Sequence, residues 1–249
     1  MSDTKPRVCA TIEARMTSSR LPGKVMKPIL DKPTLELMIE RVKRIECLDD
    51  IILATTTNVD DDCLVELADR LDIKCFRGSE DDVLMRVLQA AQTNDVDVIV
   101  ELTGDCPLLD PALVDQAVAT YFEKGVDYLT NSQPASYPIG MGIQVFARTV
   151  LEDVASRTDD PDDHEHVTLY IYRAGRDLYS IHNMSAPEHQ VDPYLRLTLD
   201  TQDDLTFITN IFEGLYVDNP NFDLDDILNY LKQNPKLREI NDHIEQRWV

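Results

Sequence analysis

Short apolar, β-branched runs alternate with helix-period segments through the first half of this 249-residue chain, and that alternation narrows its fold more than any other feature. Runs at Val8 to Ile12, Ile51 to Thr55, Ile73 to Phe76 and Val96 to Leu102 read as strands. Between them, Thr34 to Ile45, Asp60 to Leu71 and Asp81 to Gln92 carry apolar residues at helical spacing. Strand, helix, strand in succession is the βαβ unit, whose right-handed crossovers build a mainly parallel sheet covered on both faces. Residues 1–125 are therefore expected to form an open, doubly wound, Rossmann-like α/β nucleotide-binding half.

A further helix is expected from Pro111 to Glu123, because Asp110 can cap its start, Pro111 suits the first helical position and Gly125 follows its end. The pattern then changes. Asn131 to Gly142 is rich in turn formers, and a strand at Ile143 to Phe146 and helices near Thr149 and His166 follow it. Residues 130–195 thus read as an inserted elaboration that shapes an acceptor pocket or a subunit contact. The segment 195–249 closes the chain. It begins with a strand from Tyr194 to Leu199 ending at Asp200 and a helix from Gln202 to Tyr216 with Leu205, Ile208, Phe212 and Leu215 on one face. Two short helices, Leu224 to Lys232 and Lys236 to Gln246, complete it. At this length a single domain over 1–249 is the expectation.

Bulk properties exclude several classes. No apolar run approaches the roughly 18 to 20 residues needed to cross a bilayer, and Met1 to Arg7 lacks the apolar stretch of a secretion signal. A cytoplasmic protein without a membrane partner is expected. Five cysteines, Cys9, Cys47, Cys63, Cys75 and Cys106, show no C-x-x-C spacing, which disfavours a disulfide framework or a structural zinc site. With 46 acidic and 24 basic residues the formal charge is -22, which repels a polyphosphate backbone over most of the surface. Nucleic acid is excluded as an expected partner, and any phosphate site must be a local basic island. The acid excess fits ordinary solubility or a high-salt cytoplasm.

Such an island follows the first strand. The run I-E-A-R-M-T-S-S-R-L-P-G-K, from Ile12 to Lys24, concentrates Arg15, Arg20 and Lys24 among small residues including Ala14, Ser18 and Ser19. Ligands of open α/β sheets bind at the carboxyl ends of strands, where small residues let backbone N–H groups approach phosphate oxygens and cations neutralise them. A basic loop without a ligand is the alternative. The run is neither a G-x-x-x-x-G-K-[ST] P-loop nor a G-x-G-x-x-G dinucleotide fingerprint.

Two carboxylates follow later strands. Asp105, after Gly104, ends the fourth predicted strand, and Asp200 ends the strand Tyr194 to Leu199. Both suit one Mg²⁺ bridging triphosphate oxygens, since magnesium takes a few carboxylates supplemented by phosphate and water. Taken singly, Asp105 could only cap a turn, and Asp200 could only cap the helix after it. Asp162 to Val167 holds two histidines and several carboxylates, but His164 and His166 are two apart and fall on different sides of a helix, against a shared metal.

These motifs, in this order, resemble the cytidylyltransferases that activate sugars and sugar-acids, the acylneuraminate and 3-deoxy-manno-octulosonate enzymes, and above all their spore-coat polysaccharide branch. The matching runs are Ile12 to Lys24, Gly104 to Leu109 and Asp200 to Leu205, and the similarity spans most of the chain. The resemblance implies a homodimeric nucleotidyltransferase of the nucleotide-diphospho-sugar transferase fold that joins CMP from CTP to a sugar or sugar-acid. In it Arg15, Arg20 and Lys24 would hold the CTP phosphates and Asp105 and Asp200 would coordinate Mg²⁺. It also implies that Ala54, Thr55, Arg77, Gly78 and Ser79 face the base and ribose. Glu165-His166-Val167 matches a run common in that branch, for which it implies a polar contact to acceptor or neighbouring subunit. Tyr137 to Gly142 departs from the sugar-acid pattern and leaves the acceptor open. GTP or UTP as donor, a metal-dependent glycosyltransferase and a non-catalytic nucleotide-binding protein are the alternatives.

Overall fold

The computed structural model describes residues 5–246, so the first four residues of the stretch read for a secretion signal, and the last three of the chain, lie outside it. In chain order its elements are β1 (Val8–Glu13), β2 (Pro28–Ile29), β3 (Lys32–Pro33), α1 (Thr34–Val42), β4 (Asp50–Thr56), α2 (Asp62–Arg70), β5 (Lys74–Gly78), α3 (Val83–Thr93) and β6 (Val98–Thr103). There follow α4 (Pro111–Lys124), β7 (Tyr128–Thr130), β8 (Gln144–Ala147), α5 (Arg148–Ala155), α6 (Pro161–Glu165), α7 (Leu169–Tyr172), β9 (Ile181–Asn183), α8 (Gln202–Leu215) and α9 (Leu224–Gln233).

Seven strands form one sheet in the order β5-β4-β1-β6-β8-β7-β9. The four strands β5, β4, β1 and β6 are mutually parallel, as the βαβ alternation predicts. β8 runs antiparallel between β6 and β7, and β9 pairs parallel with β7. The fold is mainly parallel α/β, and the strands β7 to β9 from the elaboration extend its sheet rather than standing apart from it.

Alternation along β1 distributes its side chains to two cores. Val8, Ala10 and Ile12 enter one with α1, α4 and α8, while Cys9 enters the other with α3, α5 and Ile171. Both faces of the central strands are therefore dry, which explains their near-continuous apolar runs. The capping reading of α4 holds: the Asp110 side chain accepts from Ala112 N–H, Pro111 is the first helical residue and Gly125 closes the helix in a left-handed conformation.

Two expected elements differ. Tyr194 to Leu199 is no strand of the sheet; it is an extended segment whose hydrogen bonds go to loops, Leu197 N–H to Ile139 O at 2.7 Å and Leu199 N–H to Asp105 O at 2.8 Å. Its apolar alternation is real, since Leu195, Leu197 and Leu199 are buried, but its partners are irregular chain. Lys236 to Gln246 is not an α-helix either: a 3₁₀ turn covers Pro235–Ile240 and irregular chain follows.

Candidate active site

Strand order reverses beside β1, where the chain returns from β4 and β5 to lay β6 on the other side. Ligands of open α/β sheets bind at such a switch point. A cavity of about 520 Å³ opens there, lined by Ala14, Arg15, Ser18, Ser19, Arg20, Lys24, Gly104, Asp105 and Asp200, all singled out by sequence. The exits of β1 and β6 touch: Gly104 N–H donates to Glu13 O at 2.8 Å, and a Cβ at Gly104 would lie 2.7 Å from that oxygen. Only glycine fits so close an approach.

The loop after β1 is pinned on both flanks. Buried Asp61 accepts from Met16 N–H at 2.7 Å, and Glu80 accepts from the Thr17 hydroxyl and lies 3.6 Å from Arg15 Nη1. Gly23 N–H donates to Met16 O at 2.8 Å and closes the loop, which delivers Lys24 to the cavity. The basic run is thus a fixed cradle in the described structure.

Lys24 Nζ lies 2.6 Å from Asp105 Oδ2 and 2.8 Å from Asp200 Oδ1. Arg20 Nη2 reaches the same Asp200 oxygen at 2.8 Å, and Arg196 Nη2 holds the other, Oδ2, at 2.7 Å. Burial works against the charge on Lys24, but the two carboxylates outweigh it and raise its pKa above the ordinary lysine value. Burial likewise works against ionised Asp200, yet Lys24, Arg20 and Arg196 together hold its carboxyl below the ordinary range. Asp200 does not cap α8; Thr201 does, in a capping box with Asp204. Nor does it end a strand. It is brought beside Asp105 because Thr198 and Leu199 donate to the Asp105 carbonyl at 3.2 and 2.8 Å.

Among the described residues no group of three or more His, Cys, Asp or Glu side chains is placed to hold a metal. The Asp105 and Asp200 pair is smaller than that, but its chemistry fits Mg²⁺: two carboxylate oxygens converge on one cation, the Lys24 ammonium, and magnesium takes one or two carboxylates plus substrate phosphates.

The five residues expected at base and ribose are not brought to this cavity. Ala54 is buried in the core, and Thr55 is buried with its hydroxyl on Asp61 at 3.0 Å. Arg77 is spent on Thr56 O at 2.7 Å, Asn58 O at 2.6 Å and Asp62 at 2.6 Å. Gly78 packs against Arg86, and Ser79 caps the turn before α3 by accepting from Asp82 N–H at 3.1 Å. The cavity is lined instead by Glu13, Val83, Arg86, Glu165 and His166 beside the residues of the basic loop. Of these, the sequence singles out only Glu165 and His166. His164 points elsewhere, to Asp82 at 2.8 Å and Thr158 O at 3.0 Å, as their two-residue separation requires.

Behind Glu13 lies the buried Glu101, on the neighbouring strand β6. Burial and then each other's charge raise the Glu101 pKa well above the carboxylate range; burial also raises Glu13, partly offset by its hydrogen bond to Glu101 and by Arg86. Burial and the neighbouring carboxyl thus favour the protonated form of Glu101. Strand register alone could have found them, since Glu13 and Glu101 lie on the same face of adjacent strands.

A family model described as cytidylyltransferase matches residues 9–237. The chain is 34% identical over 230 residues to the spore coat polysaccharide biosynthesis protein SpsF of Bacillus subtilis, covering 90% of this chain and 93% of that one. It is 24% identical over 255 residues to a 3-deoxy-manno-octulosonate cytidylyltransferase of Geobacter metallireducens, covering 91% and 98%. The solved structure of a cytidylyltransferase from Leptospira borgpetersenii serovar Hardjo-bovis superposes with a TM-score of 0.90 at 30% identity, covering 98% of this chain and 100% of that one. On the match over residues 9–237 and the identities at these coverages, the chain belongs to the cytidylyltransferase family of nucleotidyltransferase enzymes.

Proposed function

We propose that the enzyme transfers CMP from CTP to a sugar-acid or related sugar acceptor, with Mg²⁺, and releases pyrophosphate, in the synthesis of a surface polysaccharide or glycan precursor. The observation that carries this reading is the single ammonium of Lys24 held by Asp105 and Asp200 in a cavity that Arg15 and Arg20 also line. That arrangement supplies phosphate-binding cations and cation-binding carboxylates at one point.

In this reading Arg15, Arg20 and Lys24 take the triphosphate, and Ser18 and Ser19 offer hydroxyls and backbone N–H groups to its oxygens. Lys24 and Arg20 leave Asp200 for the phosphates, which frees Asp105 and Asp200 to hold the divalent cation. Bound there, Mg²⁺ supplies charge neutralisation on the phosphates under attack. Positioning and charge stabilisation carry such a phosphoryl transfer, so no covalent residue is needed. The wall of Glu13, Arg86, Glu165 and His166 is left for base and acceptor.

Two copies of the chain are proposed to pair through residues 130–195. Leu178, Val191 and Tyr194, three of the large apolar side chains that the described residues expose, all lie there. Light scattering at micromolar concentration checks this, and a monomer would contradict it.

The activity is tested by mixing the protein with CTP, Mg²⁺ and a panel of sugar acids that includes 3-deoxy-manno-octulosonate, and measuring pyrophosphate. Release dependent on CTP, metal and one acceptor is expected. No pyrophosphate with any acceptor, and release of a nucleoside diphosphate from a nucleotide-sugar donor instead, would overturn the reading.

A further inference from the structure

Asp200 has three cationic partners, and they are not equivalent. Lys24 and Arg20 share its Oδ1 from the cavity side, and the proposed function takes both away when a triphosphate arrives. Arg196 holds Oδ2 from behind and is only 3% exposed.

Arg196 is fixed in turn. Its Nε donates to Asp204 Oδ1 at 2.9 Å, its Nη2 also reaches Asp204 Oδ2 at 3.3 Å, and its Nη1 donates to Gln246. Fully buried Asp204 fixes the backbone as well, accepting from Asp200 N–H at 3.0 Å and Thr201 N–H at 2.9 Å. Asn241, from the closing segment, donates to Arg196 O at 3.1 Å and Asp204 Oδ1 at 3.0 Å. A planar guanidinium can satisfy two carboxylates in a set geometry, which a lysine ammonium cannot reproduce.

We infer that Arg196 is a positioning residue that retains the Asp200 carboxylate after Lys24 and Arg20 have been surrendered to the nucleotide. The inference rests on the proposed function. Without Arg196, Asp200 has only the two cavity cations as partners, so it competes with the phosphates for them. The irregular chain around Asn241 and Gln246 thereby belongs to the active site although it lines no part of the main cavity.

The test is CTP affinity by calorimetry without divalent metal, where the competition is read directly. Arg196→Met is expected to weaken CTP binding at least about tenfold, the scale of one charged hydrogen bond. Adding Asp200→Asn to Arg196→Met removes the competitor and is expected to restore the affinity, which no loss of packing at Arg196 would allow. Arg196→Lys, which keeps charge and bulk, should show the same loss and the same rescue and serves if Arg196→Met does not fold. Unchanged affinity in a folded Arg196 variant, or a loss that Asp200→Asn fails to reverse, overturns the inference while leaving the enzyme's function standing. A wild-type protein that binds no CTP overturns the function and the inference with it.

Discussion

Lys24 Nζ lies 2.8 Å from Asp200 Oδ1, joining the loop after the first strand to a residue 176 positions later. In the proposed function the contact keeps a cation in reserve for the phosphates. Lys24→Ala or Arg15→Ala should therefore weaken CTP binding by about 1.5 to 3 kcal/mol, the range for hydrogen bonds to charged groups. Calorimetry checks this, and unchanged affinity in both variants would remove the loop from the phosphate site.

The two aspartates should separate turnover from folding. Asp105→Asn and Asp200→Asn each keep an amide oxygen that can accept from Lys24, so circular dichroism should stay close to wild type. Asp200→Asn should also lower the melting temperature, because it sets an amide NH2 against one of the cations that hold both Asp200 oxygens. Pyrophosphate release at limiting Mg²⁺ should be lost. A variant that turned over at the wild-type rate would leave that residue a purely structural partner of Lys24.

The buried carboxyl pair gives a pH-dependent prediction. In the folded chain burial and Glu13 hold the Glu101 pKa well above its ordinary value, so the folded state binds this proton more tightly than the unfolded one. Its stabilising effect is then complete below the ordinary carboxylate pKa and is lost as pH rises through the raised one. Glu101→Gln removes that loss. Its melting temperature relative to wild type should be higher at pH 8 than at pH 5, and a pH-independent difference would show that Glu101 does not titrate in the fold.

Much of this architecture is legible because local signals act locally. Asp110, Pro111 and Gly125 bracket a helix by capping chemistry that needs no tertiary partner, and Ile12 to Lys24 carries its basic island in consecutive residues. Tyr194 to Leu199 shows where this stops. Alternation reveals an extended, half-buried segment but not whether its hydrogen bonds go to a strand or, as here, to Ile139 and Asp105. The resemblance turns Thr55 and Arg77 toward base and ribose, yet in the fold Asp61 and the carbonyls of Thr56 and Asn58, partners set only by the tertiary structure, engage them. Arg86 gave no signal for the same reason, since a helix pattern does not say which cavity an arginine borders.

Gly140 ties the turn-rich loop of Asn131 to Gly142 to the segment that carries Asp200. Its φ is +102°, and a Cβ there would lie 2.7 Å from the Leu197 carbonyl carbon. Gly140→Ala should destabilise the protein by about 1 to 3 kcal/mol, the cost of one strained backbone position, read as a lower melting temperature. An unshifted transition would show that this contact can relax.

The base is where the family assignment meets its most direct test in this chain. Cytosine presents an exocyclic amino donor beside a ring acceptor, whereas uracil reverses both, so a pocket built for one leaves buried groups of the other unpaired at about 1 to 3 kcal/mol each. Selective binding stabilises the native state by RT ln(1 + [L]/Kd), about 2.7 kcal/mol at a hundredfold excess over Kd, and so raises the melting temperature. In a chain of this size each kcal/mol moves the transition by about 2 to 4 °C. Melting with CTP, UTP, GTP and ATP, each with Mg²⁺, should give the largest shift for CTP. A shift with GTP or ATP well beyond that with CTP would reassign the donor while leaving the proposed phosphate cradle of Arg15, Arg20 and Lys24 in place, since a cradle of cations would read the triphosphate and not the base.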